Sequence, residues 1–208
     1  MDTIFARSTA PGRSGLAVIR LSGPRSWQTV EWLTKRGLPP ARRLVRRRLV
    51  DGDRLLDDGM VVLFAEGASF TGEQSAELHL HGSEAVMRAV LDVLGRRDGL
   101  RLADPGEFTR RALENDRLDL SAAEGLSALL EAESTAQHQQ ALGLYEGALR
   151  GRVEEWRRRL VDILAALEVS IDFADEDVPV DVFPELRDLV DQVIAGLRGE
   201  LAGSGAAE

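Results

Sequence analysis

The tract Asp104-Pro-Gly-Glu-Phe-Thr-Arg-Arg-Ala-Leu-Glu-Asn-Asp-Arg-Leu-Asp-Leu-Ser-Ala-Ala-Glu124 divides the chain into two textures. A proline and glycine turn opens it and a short helix follows. Ser121-Ala-Ala-Glu124 then has the form of a capping box that begins a longer helical stretch. On the N-terminal side, from Thr3 to about Arg117, short apolar runs are broken by Gly, Pro and Asp, as in Gly15-Leu-Ala-Val-Ile-Arg-Leu-Ser-Gly23 and Gly59-Met-Val-Val-Leu-Phe64. These read as strands. Helical spacing intervenes at Trp27 to Leu33 and at Glu84 to Leu94, where Val86, Val90, Val93 and Leu94 share a face.

On the C-terminal side no proline occurs until Pro179. Trp156, Leu160, Ile163, Leu164 and Leu167 recur at helix spacing, with breaks expected at Gly147 and Gly151. A further helix is expected from about Pro184 to Leu201, burying Leu186, Leu189, Val190, Val193 and Leu197. The fold class that follows is α+β: a mixed α/β domain over 1–118, then an incomplete all-α helical bundle over 119–208. Helices so few leave apolar surface to be covered by a second copy or by a C-terminal region, and association beyond a dimer is expected.

With 44% apolar residues in 208, the chain can bury an ordinary core. Cysteine is absent, which removes disulfides, thiolate metal sites and a cysteine nucleophile. No apolar run approaches the ~20 residues needed to span a bilayer, and no signal-peptide pattern opens the chain, so a cytoplasmic protein without a membrane partner is expected. The formal net charge of −9 is uneven: residues 1–118 carry a small excess of Lys and Arg, and 119–208 a large excess of Asp and Glu. Arg42, Arg43, Arg46, Arg47 and Arg48 form a basic cluster, read as an exposed strand face in preference to a phosphate site.

Three stretches carry candidate chemistry. Ala10-Pro-Gly-Arg-Ser-Gly15 forces a tight turn before a strand, a common way to form the lip of a pocket. Leu16, Val18 and Arg20 then share one face, read as buried, and a partly buried arginine needs an anionic partner. In Ser75-Ala-Glu-Leu-His-Leu-His-Gly82, apolar Ala76, Leu78 and Leu80 alternate with Glu77, His79 and His81. Glu77 has two readings of equal weight: a carboxylate accepting two parallel N–H bonds from an aminopyrimidine edge, or an ion-pair partner of Arg20. His79 and His81 resemble a metal pair, but the only other histidine is His138, and no metal is expected. Glu107 near a helix start and Arg117 near its end both suit the helix dipole. The acidic residues Asp172, Asp175, Glu176, Asp177 and Asp181 lack a calcium-loop spacing and read as a solvated turn.

Taken in order, six tracts resemble the N-terminal region of the MnmE (TrmE) family of tRNA modification GTPases. They are Pro11-Gly12 before Gly15 to Arg20, Phe70-Thr-Gly-Glu73, His81-Gly82, Pro105-Gly-Glu-Phe108, Asn115-Asp-Arg-Leu-Asp-Leu120 with Ala123-Glu124, and Ile171-Asp-Phe173. The resemblance implies a first domain similar to the tetrahydrofolate-binding modules of aminomethyltransferases and dimethylglycine oxidase. Such a domain forms a homodimer and binds 5-formyltetrahydrofolate or 5,10-methylenetetrahydrofolate. Arg20, Glu77 and Arg117 fall on the family's folate-contacting positions. Position 117 is frequently lysine there, so Arg117 keeps the charge with a different donor geometry. Ser83 replaces a usual glycine and Ala174 a usual proline.

The resemblance further implies carboxymethylaminomethyl-type modification of the tRNA wobble uridine, together with the FAD-dependent partner MnmG. GTP, Mg and K belong to a G domain expected to begin soon after residue 208. No Gly-x-x-x-x-Gly-Lys-Ser/Thr occurs in this sequence. The stretch itself is expected to bind and dimerise without catalysing, and no catalytic residue is assigned. Two alternatives stand beside this: a free-standing folate-dependent aminomethyl or formyl transferase, and a dimerisation scaffold with a vestigial pocket.

Overall fold

Period-two alternation and its interruptions set the sheet. In the computed structural model, which describes residues 2–172 and 182–204, the first unit comprises β1 (Thr3–Arg7), β2 (Ser14–Ser22), α1 (Ser26–Thr34), β3 (Val45–Asp51), β4 (Arg54–Phe64), β5 (Ser75–Gly82), α2 (Glu84–Gly95), β6 (Leu100–Leu102) and α3 (Glu107–Glu114). The strands form one six-stranded sheet in the order β3-β4-β5-β2-β1-β6. All neighbours are antiparallel except β1 and β6. The chain divides between Ala123 and Glu124 into two compact units.

The core of the first unit is a continuous apolar layer. Ile19, Leu21, Leu63 and Leu78 from the sheet meet Val30 and Leu33 of α1 and Val90 and Leu94 of α2, all almost fully buried. Each such side chain contributes ~1.5–3 kcal/mol on burial. This layer corrects the reading of β2. The buried face is Ala17, Ile19 and Leu21, whereas Leu16 is 52% exposed and shares its face with half-buried Val18 and Arg20. Both faces of β2 begin with apolar residues, so alternation alone could not choose between them. The helices choose, by covering the other side. On β5 the expected division holds, with Ala76, Leu78 and Leu80 buried against the helices.

Basic β3 lies at one edge of the sheet, where its unpaired backbone faces solvent. Arg46 and Arg48 are exposed and Arg46 forms a two-bond pair with Asp58 at 3.0 and 2.7 Å. That matches the solvated-face reading for these two, but not for half-buried Arg47.

Helix α4 (Leu120–Glu131) is capped by the Asp119 carboxylate, which accepts from the Ala122 amide at 2.8 Å. The cap therefore sits two residues before the expected Ser121, because the Asp119 carboxylate already satisfies an open amide of the first turn. The second unit continues with α5 (Thr135–Tyr145), α6 (Ala148–Asp172) and α7 (Val182–Ser204). A capping box does occur, at Ser134 and Gln137 at the start of α5. Gly147, with φ +88°, separates α5 from α6; Gly151 breaks nothing and lies within α6.

Helices α6 and α7 meet along a narrow seam. Ile163 on α6 and Leu186 and Val193 on α7 are buried, and the Trp156 indole packs so closely on Gly196 that a Cβ there would lie 2.8 Å from its nitrogen. Leu160, Leu164 and Leu167 on α6 and Val190 and Leu197 on α7, all expected to be buried, are 36–58% exposed. Two helices cover only a two-in-seven stripe, so residues flanking it stay in solvent. Among the expected features, Phe173, Ala174, Asp175, Glu176, Asp177 and Asp181 lie outside the described residues. No helix among the described residues is long and apolar enough to cross a membrane.

Candidate functional site

Strand register makes the site. β2 and β5 pair so that Arg20 lies directly opposite Glu77, on the sheet face away from the core formed with α1 and α2. Arg20 donates from Nε at 3.0 Å and from Nη2 at 2.8 Å to Glu77 Oε1, and His79 Nε2 lies 3.1 Å from Oε2. The guanidinium rests over two rings, 5.5 Å from the Phe70 centroid and 5.9 Å from that of Phe108. Both partners are partly withdrawn from water, their side chains 30% and 16% exposed. Two donors occupy the lone pairs of Oε1, while Oε2 keeps room for another donor.

This pair forms the floor of a cavity of about 330 Å³, walled by Phe64, Phe70 and Thr71 and rimmed by Arg42 and Arg117. Its size falls at the lower end of the ~300–1,000 Å³ typical of small-molecule sites. Wider clefts of about 1110 and 610 Å³ border α2, but hold none of Arg20, Glu77 or Arg117. The structure thus gathers all three sequence-predicted residues around one space.

The wall at Phe70-Thr-Gly-Glu73 is pinned from behind. Thr71 and Ser22 hydroxyls lie 2.6 Å apart, Ser22 donates to Glu73 Oε2 at 2.6 Å, and Asn115 Nδ2 donates to the Thr71 carbonyl at 2.7 Å. Glu73 in turn accepts from Arg111 Nη1 at 3.1 and 3.2 Å. Arg111 also donates to Glu107 Oε1 and to Asp2 Oδ1, and Arg101 grips Glu107 with two bonds of 2.8 and 2.5 Å. The Arg101 guanidinium, with further help from the Asp104 amide and Arg111, holds the Glu107 carboxyl down at about 2 against the opposing effect of burial. Gly72, with φ +80°, permits the turn: a Cβ there would meet Asn115 Cβ at 3.1 Å and Arg117 Cγ at 3.2 Å.

Residues 3–117 match the family described as GTP-binding protein TrmE N-terminus, and residues 120–208 match the MnmE helical domain. The chain belongs to the MnmE family. It is 53% identical over its whole length to the tRNA modification GTPase MnmE of Cereibacter sphaeroides (strain ATCC 17025 / ATH 2.4.3), covering 48% of that protein. It is 51% identical to that of Dinoroseobacter shibae and 54% to that of Ruegeria pomeroyi, with all of this chain aligned to 48% and 49% of theirs. The chain therefore spans about half the length of the curated relatives it matches.

Three of the MnmE-like tracts, Phe70 to Glu73, Pro105 to Phe108 and Asn115 to Leu120, meet at the cavity or directly behind it. The turn at Ala10 to Gly15 does not line it. Glu84, at the start of α2, instead accepts from Arg7 Nη1 at 2.7 Å and from the Gly12 amide at 3.0 Å, so that turn is bound to the helix. The two histidines are also separate: His79 meets Glu77, while His81 Nδ1 lies 2.7 Å from Asp57 Oδ1. Asp57 raises the His81 imidazolium above its ordinary value. Arg117 lies past the last residue of α3, at the cavity rim, so its place is not explained by the helix dipole.

Sequence reasoning missed Arg42, Glu73, Ser22 and Arg111. Arg111 could have been found, since it stands one helical turn after Glu107. Arg42 was visible only as one of a cluster of arginines read as a solvated face, and nothing local separates it from its neighbours as the one that lines the cavity, in a left-handed backbone conformation.

Proposed function

We propose that the first unit binds a reduced folate such as 5-formyltetrahydrofolate or 5,10-methylenetetrahydrofolate, and that it does so as the dimer-forming part of a tRNA modification GTPase. In that setting it works with the FAD-dependent MnmG on the tRNA wobble uridine. The observation that carries the reading is the half-buried Glu77 carboxylate on the floor of a cavity with an aromatic wall and a cationic rim. The donor set suits the ligand class. Glu77 would take N–H groups of an aminopyrimidine edge, Phe70 offers an apolar face to a flat ring, and the exposed arginines suit carboxylates. A folate bound there would supply a one-carbon unit.

Glu77 is prepared for this by its neighbours. Arg20 and His79 fix its plane by bonding one carboxylate oxygen each. Because Arg20 already uses both lone pairs of Oε1, a ligand offering two parallel N–H groups must displace one Arg20 bond. The same ion pair satisfies both residues without a ligand, which is what a vestigial pocket would also require.

Titration calorimetry of the chain with 5-formyltetrahydrofolate, beside Glu77→Ala, separates the readings. Saturable binding near one ligand per chain, lost in a variant that keeps its secondary structure and its association state, supports the folate site. Absence of heat with the native chain leaves a dimerisation scaffold.

A further inference from the structure

The rim of the cavity carries charge that its floor does not need. Among its lining residues, three guanidinium groups face a single carboxylate, and that carboxylate, Glu77, is taken by Arg20. Arg42 and Arg117 make no ion pair among the described residues, and both are exposed. A half-buried neutral pair under two unneutralised cations favours a ligand with a polar, uncharged head and an anionic tail.

Arg42 is held in place at some cost. It is a non-glycine residue with φ +61°, a conformation that L-residues disfavour. Two bonds keep it there: its amide donates to the Leu63 carbonyl at 2.8 Å, and its Nη2 to the Ala68 carbonyl at 3.3 Å. The second spans from the loop before β3 to the loop after β4, which is the cavity wall. That bond is long and uses one of five guanidinium N–H groups, leaving the others directed to solvent or to a ligand. A strained cation at a cavity rim, with no anion of its own, is where a function is to be sought.

We propose that Arg42 is a specificity-determining residue that binds the distal carboxylate of the ligand, so that the site distinguishes a folate bearing its glutamate arm from the same ring system lacking it. This rests on the folate reading above. Glu77 and Arg20 then recognise the head, Arg42 the tail. The contact is exposed, so it weakens with added salt.

The test is a cycle of two ligands and two proteins by titration calorimetry, using 5-formyltetrahydrofolate and 5-formyltetrahydropteroate, which lacks the glutamate. Asparagine tolerates the left-handed backbone and keeps the amide bond to Leu63, so Arg42→Asn removes the charge and the bond to Ala68 while the turn stays accessible. The native chain is expected to bind the glutamate-bearing ligand about tenfold more tightly, the effect of one charge-assisted contact. Arg42→Asn erases that difference by weakening the folate alone, and Arg42→Lys restores part of it. Equal affinity of the native chain for both ligands overturns the assignment of Arg42 and leaves the folate site standing, as does an equal loss for both ligands in Arg42→Asn. Binding of neither ligand by the native chain removes the folate reading, and this one with it.

Discussion

Replacing Glu107 by alanine tests the buried network behind the cavity wall. The Glu107 side chain is 1% exposed and accepts from Arg101, Arg111 and the Asp104 amide. Breaking a buried pair by removing one partner costs ~3–5 kcal/mol. Arg111 would keep Glu73 and Asp2, and Arg101 is 41% exposed and keeps Asp2, so the low end, about 3 kcal/mol, is expected. At ~4 °C per kcal/mol for a domain of this size, melting of the first unit falls by about 12 °C. The assay is thermal unfolding followed by circular dichroism across pH. A carboxyl whose folded value is depressed stabilises fully above its unfolded value and loses that contribution as pH falls through its folded one. The gap between native chain and variant should therefore be full at pH 7, begin to close below the ordinary value of 4.5, and continue closing toward about 2. A gap below ~1 kcal/mol at pH 7, or one that does not narrow on acidification, would refute the view that Glu107 is held as a buried anion.

Two further outcomes are expected. Gly72→Ala places a Cβ on a left-handed residue and against Asn115 and Arg117, costing ~1–2 kcal/mol and weakening 5-formyltetrahydrofolate binding as well; unchanged affinity and melting would show that the turn is not constrained. In an NMR titration, His81 should ionise above its ordinary 6.5 and return toward it in Asp57→Asn, and a value unmoved by that change would remove Asp57 as the cause.

The parts of the fold most legible in the sequence were those where one residue pattern admits one solution. The alternation of β5 could only place Ala76, Leu78 and Leu80 inward, because the intervening positions carry Glu77, His79 and His81. β2 offers no such contrast, since Leu16-Ala-Val-Ile is apolar at every position, and the buried side was decided by helices elsewhere in the chain. On α6 the apolar stripe was legible but its burial was not: the width of a helix's buried face depends on how many neighbours it meets. Arg20, Glu77 and Arg117 were reached through a family resemblance, and their gathering in one cavity depends on strand register and on the turn at Gly72. Arg42 and Glu73 act across separations of tens of residues, which no local pattern encodes.

The position of β1 in the sheet has a kinetic consequence. β1 lies between β2 and β6, pairing with residues 100–102 on one side, and Asp2 is bound by Arg101 and Arg111. A strand near one end of the unit thus finds one of its neighbours nearly a hundred residues later. Loop closure over such a span is entropically costly and is repaid only once the late segment is present, which slows folding relative to a sheet of local hairpins. During synthesis, β2 can pair with β1 early, but the other edge of β1 stays open until β6 and α3 have left the ribosome. The network that anchors the cavity wall is among the last things to form, so a nascent chain arrested before Arg111 should hold a partly built sheet and no anchored cavity wall.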